Sequence, residues 1–279
     1  METMSYKKIL TIQDISCVGQ CSLTVALPIL SACKMETCIL PSAILSTHTA
    51  GFQDFTFRDL TDDMPDIQKH WQKENIRFSA IYTGYLGSTK QIGYVKNIFD
   101  TMGTPDCVRV VDPAMADNGK LYPAFDDEYV EAMKELCSSA DILLPNITEA
   151  CFLTDMEYCE VYDETYIKDL LEKLTLLGAK TVVLTGVSYD PKKTGVAVYE
   201  NGDVCYYAHD KMAKGCHGTG DIYASAFTGA LMNDKSIFEA AKIAADYTVK
   251  CIMNTQGDED HWYGAKFETA LGDLINMLD

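Results

Sequence analysis

Short β-branched runs alternate with longer stretches of helical periodicity along most of the chain. Runs rich in β-branched and apolar residues occur at 7–15 (KKILTIQDI), 35–42 (METCILPS), 79–87 (SAIYTGYLG), 107–115 (CVRVVDPAM), 141–146 (DILLPN) and 181–187 (TVVLTGV). Several are apolar at successive positions, the pattern of strands buried on both faces. Between them, residues 20–33, 64–75, 88–101, 126–138 and 163–178 carry the apolar spacing of amphipathic helices. The alternation predicts right-handed βαβ crossovers and a largely parallel sheet.

The order then changes. Residues 194–210 (TGVAVYENGDVCYYAHD) hold two runs around Asn201-Gly202, a two-residue hairpin signal, so antiparallel strands should close one edge of the sheet. Helices are predicted at 221–233, 235–254 and 265–278. The segment 47–66 is the longest stretch without clear periodicity, and such loops commonly serve as lids or binding loops. There is no internal repeat, low-complexity tract or Gly/Ser linker, so one α/β domain over residues 1–279 is expected.

Composition narrows the function classes. The chain is 47% hydrophobic, enough for a substantial core, and its 23 Lys and Arg against 41 Asp and Glu give a formal charge of -18. Such a field repels nucleic acid and anionic membranes, so an anionic ligand must be held by local groups. The 11 cysteines show no C-x-x-C pair, and the polar start METMSYKK has no apolar segment behind it. Reduced thiols and a cytoplasmic location are expected from this.

The most informative stretch is GCHGTGD, residues 215–221, placed before a helix whose first turns hold Ala224, Ser225, Ala226, Gly229 and Ala230. Gly218-Thr219-Gly220 would offer backbone N–H groups at a helix N-terminus, where the dipole attracts phosphate. Asp221 reads in two ways: as the helix N-cap, or as a base that takes the proton of a substrate hydroxyl attacking a phosphoryl group. Asp112 at a strand end could cap a turn, and Asn146 with Glu149 fits a capping box. A G-x-G-x-x-G dinucleotide fingerprint after the first strand is missing from DISCVGQCSLT, which argues against a nicotinamide-dependent oxidoreductase.

GTGD opening a late helix, after a βαβ series that ends in a hairpin, resembles the ribokinase-type small-molecule kinases, which transfer phosphate from ATP to a CH2OH group. Within them ILTIQD followed by Gly19, then STHTAGF, YTGYLGS, VVDPAMAD and LLPNITEA, resemble the pyridoxal kinase branch in order and spacing across residues 7 to 235. The resemblance implies a three-layer α/β/α fold and ATP-dependent phosphorylation of a vitamin B6 alcohol, with Mg2+ and a homodimer; a monovalent cation such as K+ stays open. It makes Asp221 the general base and Gly218, Thr219 and Gly220 the anion hole. It puts Asp112, Asp117, Asn146, Glu149 and Thr185 around ATP, with Asp112 and Glu149 near the metal, and Asp14, Thr49 and Tyr85 around the substrate ring. Two departures stand out: Asp14 replaces a usual serine, and QCSL follows Gly19 where another glycine and an asparagine are common. A hydroxymethylpyrimidine kinase of the same fold, or a catalytically idle ligand-binding protein, are the alternatives. For His48 and His217 the spacing implies no partner nucleophile, and Cys216 is not read as a nucleophile, since the resemblance puts Asp221 at the base position.

Overall fold

A computed structural model describes residues 6–212 and 215–279; residues 1–5 of the polar start lie outside the described residues. The chain runs β1 (Lys8–Ser16), α1 (Leu23–Ala32), β2 (Glu36–Leu45), β3 (Phe57–Asp59), α2 (Met64–Lys73), β4 (Phe78–Thr83), α3 (Thr89–Met102) and β5 (Gly103–Val111). A small ribbon of β6 (Ala116–Asp117) and β7 (Lys120–Leu121) follows, then α4 (Asp127–Cys137), β8 (Ile142–Leu143), α5 (Ile147–Thr154), α6 (Glu164–Leu176) and β9 (Thr181–Val187). The last part comprises β10 (Lys193–Glu200), β11 (Asp203–Asp210), α7 (Thr219–Met232), α8 (Ile237–Thr255), a 3-10 turn (Phe267–Ala270) and α9 (Leu271–Leu278).

Nine strands form one sheet in the order β11-β10-β9-β8-β5-β4-β1-β2-β3. From β9 to β2 the neighbours are parallel, and the pattern of the strands explains why. Leu10 and Ile12 face a core made with α2 to α6, while Ile9 faces a second core made with α1, α7, α8 and α9. In β9, Val182 and Leu184 join the first core and Val183 the second. Continuous apolar runs are therefore what a sheet covered on both sides requires, and the result is three layers, α/β/α. No helix among the described residues is long and apolar enough to cross a membrane.

Both edges are antiparallel. The hairpin of β10 and β11 closes one, its turn formed by Asn201 (φ 54°) and Gly202 (φ 95°), as the sequence predicts. At the other edge lies β3, inside the segment 47–66 that carries no periodicity; it is short and wholly exposed, so it leaves no alternating signature. The periodicity also misses α5. This eight-residue helix buries residues around most of its circumference, so it has no polar face to mark a helical period. The helix expected over 20–33 begins only at Leu23, because Ser22 stands at φ 56° and ψ -131° and breaks the turn.

The sheet carries α7 as a nearly all-buried helix, with Ile222 to Ala230 inside. Gly229 lets α7 approach α1 closely: a Cβ there would overlap the Cys33 side chain. Gly229→Val should cost about 1–3 kcal/mol through overpacking, lowering the urea midpoint and Tm. Adding Cys33→Ala to that variant should recover part of the loss, measured as a double-mutant cycle.

Candidate active site

The parallel strands deliver their carboxyl ends to one edge of the sheet, the place where open α/β sheets take ligands. Asp14 lies near the end of β1, Asp112 directly follows β5, Asn146 stands after β8, and Thr185 is within the last residues of β9. The Asp112 N–H donates to the Thr83 carbonyl at the end of β4 (3.1 Å), and Asn146 bridges to Thr185, which keeps these ends aligned. Asp221 comes from the first turn of α7.

Asp221 is not the N-cap of that helix. The N-cap is Gly218 (φ 76°), whose left-handed backbone suits glycine, and where a Cβ would overlap the Gln20 carbonyl oxygen. No side chain caps α7. The Asp221 carboxylate instead accepts the backbone N–H of Ser22 at 2.9 Å, 199 positions away in sequence. Burial pushes its pKa up to about 7, the Ser22 N–H opposing and the Asp14 charge reinforcing the rise. A carboxyl near neutrality is suited to exchange a proton at physiological pH. Gly218 and Thr219 are half-buried and Gly220 is exposed, so this helix end is accessible.

Asp14 sits at an irregularity of the β1–β2 register and is 5% exposed. Its two oxygens each accept one hydroxyl, from Ser22 (2.6 Å) and from Ser16 (3.0 Å). A carboxylate has about four acceptor sites, so each oxygen retains capacity. Burial raises its pKa, the two serine hydroxyls opposing. Its charge is felt at Tyr85, a half-buried ring packed 5.3 Å from Phe125, so these two expected substrate residues come together. Thr49, the third residue expected around the ring, is exposed. Thr47, which the sequence did not single out from its neighbours in STHT, has a buried hydroxyl without a hydrogen-bond partner. Between these threonines His48 is structural. Its Nδ1 accepts the Ala50 N–H (3.1 Å), so its Nε2–H donates to the Tyr263 carbonyl (2.6 Å). Phe52, Trp262 and Tyr263 cluster beside it, joining the segment after β2 to the one before the 3-10 turn. His217 packs 5.6 Å from His48, and burial lowers its pKa.

Asp112 and Glu149 are both buried, at 9% and 3% exposure. Burial, then the Glu149 and Asp221 charges, hold the Asp112 carboxyl well above its usual range, and burial pushes Glu149 up to about 8 against backbone N–H donors. Glu149 also completes the capping box of α5: it accepts the N–H groups of Asn146 (2.8 Å) and Met115 (3.2 Å). Both capping and ligand roles are compatible, since each oxygen has a second lone pair. None of the ion pairs among the described residues reaches Asp14, Asp112, Glu149 or Asp221. Buried carboxylates without a cationic side-chain partner have the donor chemistry to hold a divalent cation. Among the described residues no group of three or more His, Cys, Asp or Glu could hold a metal ion by itself.

Beside this centre opens a cavity of about 490 Å3, lined by Asp117, Asn146, Thr185, Tyr162, Tyr189 and Lys211 among others. Three residues expected around the nucleotide therefore share one wall. The Asn146 side chain is already engaged, Oδ1 by the Glu149 N–H and Nδ2 with the Ala116 carbonyl (both 2.9 Å). Asp117 accepts from Asn118, and the Thr185 hydroxyl donates to the Pro145 carbonyl (3.3 Å). The tyrosines and Lys211 were not foreseen, because they lie in loops and at a strand end without a pattern of their own. A second hollow of about 720 Å3 lies beyond Gly119 and Tyr158, lined from α4 and α5, and gathers none of the expected site residues.

Comparison with known proteins accords with this layout. The phosphomethylpyrimidine kinase family matches residues 27–263. A solved structure described as a putative phosphomethylpyrimidine kinase from Bacteroides thetaiotaomicron, in a form with pyridoxal, is 38% identical, with a TM-score of 0.92 over 97% of this chain and 96% of its own. Pyridoxal kinase from Lactobacillus plantarum is 30% identical, with a TM-score of 0.91 over 98% of both chains. The hydroxymethylpyrimidine/phosphomethylpyrimidine kinase of Bacillus subtilis is 29% identical over 66% of this chain and 67% of its own. The chain belongs to the phosphomethylpyrimidine kinase family, in the pyridoxal kinase branch of the ribokinase-type fold, and is an ATP-dependent kinase.

Proposed function

We propose that the protein phosphorylates the 5'-hydroxymethyl group of a vitamin B6 alcohol (pyridoxal, pyridoxamine or pyridoxine) with ATP, as one domain spanning 1–279. The observation that carries this reading is Asp221. It is the third residue of a helix with no side-chain cap, its pKa is raised to about 7, and its carboxylate adjoins the Asp112 charge. The relative solved with pyridoxal supports the ring. In the reaction the substrate hydroxyl gives its proton to the Asp221 oxygen that Ser22 does not hold. The new O–P bond forms at the γ-phosphorus, the bond to the β-phosphate oxygen breaks, and ADP leaves. N–H groups of Gly218, Thr219 and Gly220 take the charge that spreads over the phosphoryl oxygens. A Mg2+ held by Asp112 and Glu149 would neutralise phosphate charge. Asp14, an acceptor only when ionised, favours a substrate ring whose nitrogen carries a proton.

A second reading, a hydroxymethylpyrimidine substrate, is favoured by the Bacillus subtilis relative. A panel of both ring types assayed with ATP and Mg2+ separates the two. kcat/KM for the best vitamer should exceed that for hydroxymethylpyrimidine at least about tenfold, a difference of about 1.4 kcal/mol in transition-state binding; the reverse order would replace the vitamer with the pyrimidine.

Asp221→Asn should lower kcat about 10²–10⁴-fold with little change in nucleotide binding. In the parent, activity should rise with pH through the region of about 7, where Asp221 loses its proton, and this limb should vanish in the residual rate of the variant. A variant within threefold of the parent would remove Asp221 from the chemistry.

Buried carboxyls with raised pKa values favour the folded state while protonated. Stability supplied by Glu149 is complete below its ordinary value of 4.5 and is lost as pH rises through about 8. Metal binding needs the ionised form, so Mg2+ with ADP should raise Tm more at pH 8 than at pH 6. Equal gains at both values would place the metal away from Glu149.

A further inference from the structure

The residue between the two carboxylates that face the substrate is Ser22, and its backbone is in an unusual state. At φ 56° and ψ -131° it lies outside the left-handed helical well, in territory that glycine occupies freely and a residue with a Cβ does not. Two bonds accompany that conformation. The hydroxyl donates to Asp14 at 2.6 Å, and the N–H donates to Asp221 at 2.9 Å. The hydroxyl bond is buried, and Ser22 itself is 6% exposed, so neither interaction competes freely with water. Flanking contacts fix the same loop. Thr24 Oγ1 donates to the Gly19 and Cys21 carbonyls, and Gln20 is held by Glu268 and His261.

We propose that Ser22 is a positioning residue: its hydroxyl, anchored on Asp14, holds the strained backbone that aims the Ser22 N–H at Asp221 and so fixes which Asp221 oxygen faces the substrate hydroxyl. The inference rests on Asp221 being the base of the kinase reaction. The N–H is directed by backbone geometry, and the side chain's buried bond to Asp14 joins the Ile15 bridge and the Asp221 contact in offsetting the strain of carrying a Cβ there. Removing the hydroxyl while keeping the Cβ takes away the buried side-chain part of that compensation, and the peptide relaxes away from Asp221. Removing both hydroxyl and Cβ removes the strain, and the N–H stays in place. The substrate-side carboxylate and the base are thereby joined through one residue, with Asp14 as the anchor.

The two substitutions therefore act in opposite order to their size. Ser22→Ala, the smaller change, should lower kcat at least about tenfold, because a misaimed base loses near-attack geometry. Ser22→Gly should lower kcat at least about threefold less than Ser22→Ala does, while KM for the alcohol changes because Asp14 has lost a donor. KM for ATP should stay unchanged in both. Crystal structures of the two variants supply a readout independent of turnover: residue 22 N should remain within hydrogen-bond distance of Asp221 Oδ2 in the glycine variant and not in the alanine variant. Thermal melting should place Ser22→Gly above Ser22→Ala. If the parent turns over no alcohol, the kinase reading fails while the structures and melting still test the backbone anchor. Equal kcat in Ala and Gly variants of an active parent, or an Asp221 contact retained in the Ala variant, would overturn the proposal.

Discussion

Four carboxylates, Asp14, Asp112, Glu149 and Asp221, occupy one end of the sheet without a lysine or arginine partner among the described ion pairs. Removing ionised groups from water is costly unless neighbours compensate, and here compensation comes from backbone N–H groups and serine hydroxyls. Much of the surrounding architecture serves that end. The capping box of α5 places the Asn146 N–H on Glu149, the bend after β5 places that of Met115 there as well, and the break before α1 places the Ser22 N–H on Asp221. Burial raises the pKa values of these groups while the N–H and hydroxyl donors oppose the rise, and for Asp221 the balance falls at about 7, where a proton can be exchanged near neutrality.

In a protein with a formal charge of -18 an anion is attracted by local dipoles, and the start of α7, with no side-chain cap, leaves its backbone N–H groups available for such a contact. Gly218 is needed there twice over, by its left-handed φ and by its contact with the Gln20 carbonyl. The helix behind it is packed against α1 through small residues, so the start of α7 and the β1–α1 loop form one mechanical unit.

The parallel sheet, the three layers and the edge hairpin were legible because their strands are apolar on both faces and their helices on one. Asp14, Asp112, Glu149 and Asp221 were legible from motifs, each at a strand or helix terminus. What escaped is what has no period: the short edge strand β3, the buried helix α5, the tyrosine-lined wall of the 490 Å3 cavity. Ser22 escaped for a different reason. Sequence marked QCSL as a departure after Gly19 but assigned it only to helix packing, since a serine gives no sign of a positive φ. The buried Thr47 hydroxyl has no pattern in STHT to mark it, since burial is decided by the chain path and not by residue type.

The bonds that complete the site join the two ends of the chain. Ser22 reaches Asp221 across 199 positions, Gln20 reaches His261 across 241 and Glu268 across 248. During synthesis the β1–α1 loop therefore emerges long before the segments that hold it, and Asp14 beside it waits in a hydrated, ordinary state until the last helices are made. Activity thus becomes a property of the finished chain. A ribosome-bound fragment ending before α7 would display most of the sheet yet lack Asp221, and one ending before the 3-10 turn would carry Asp221 while the β1–α1 loop lacked its Glu268 partner.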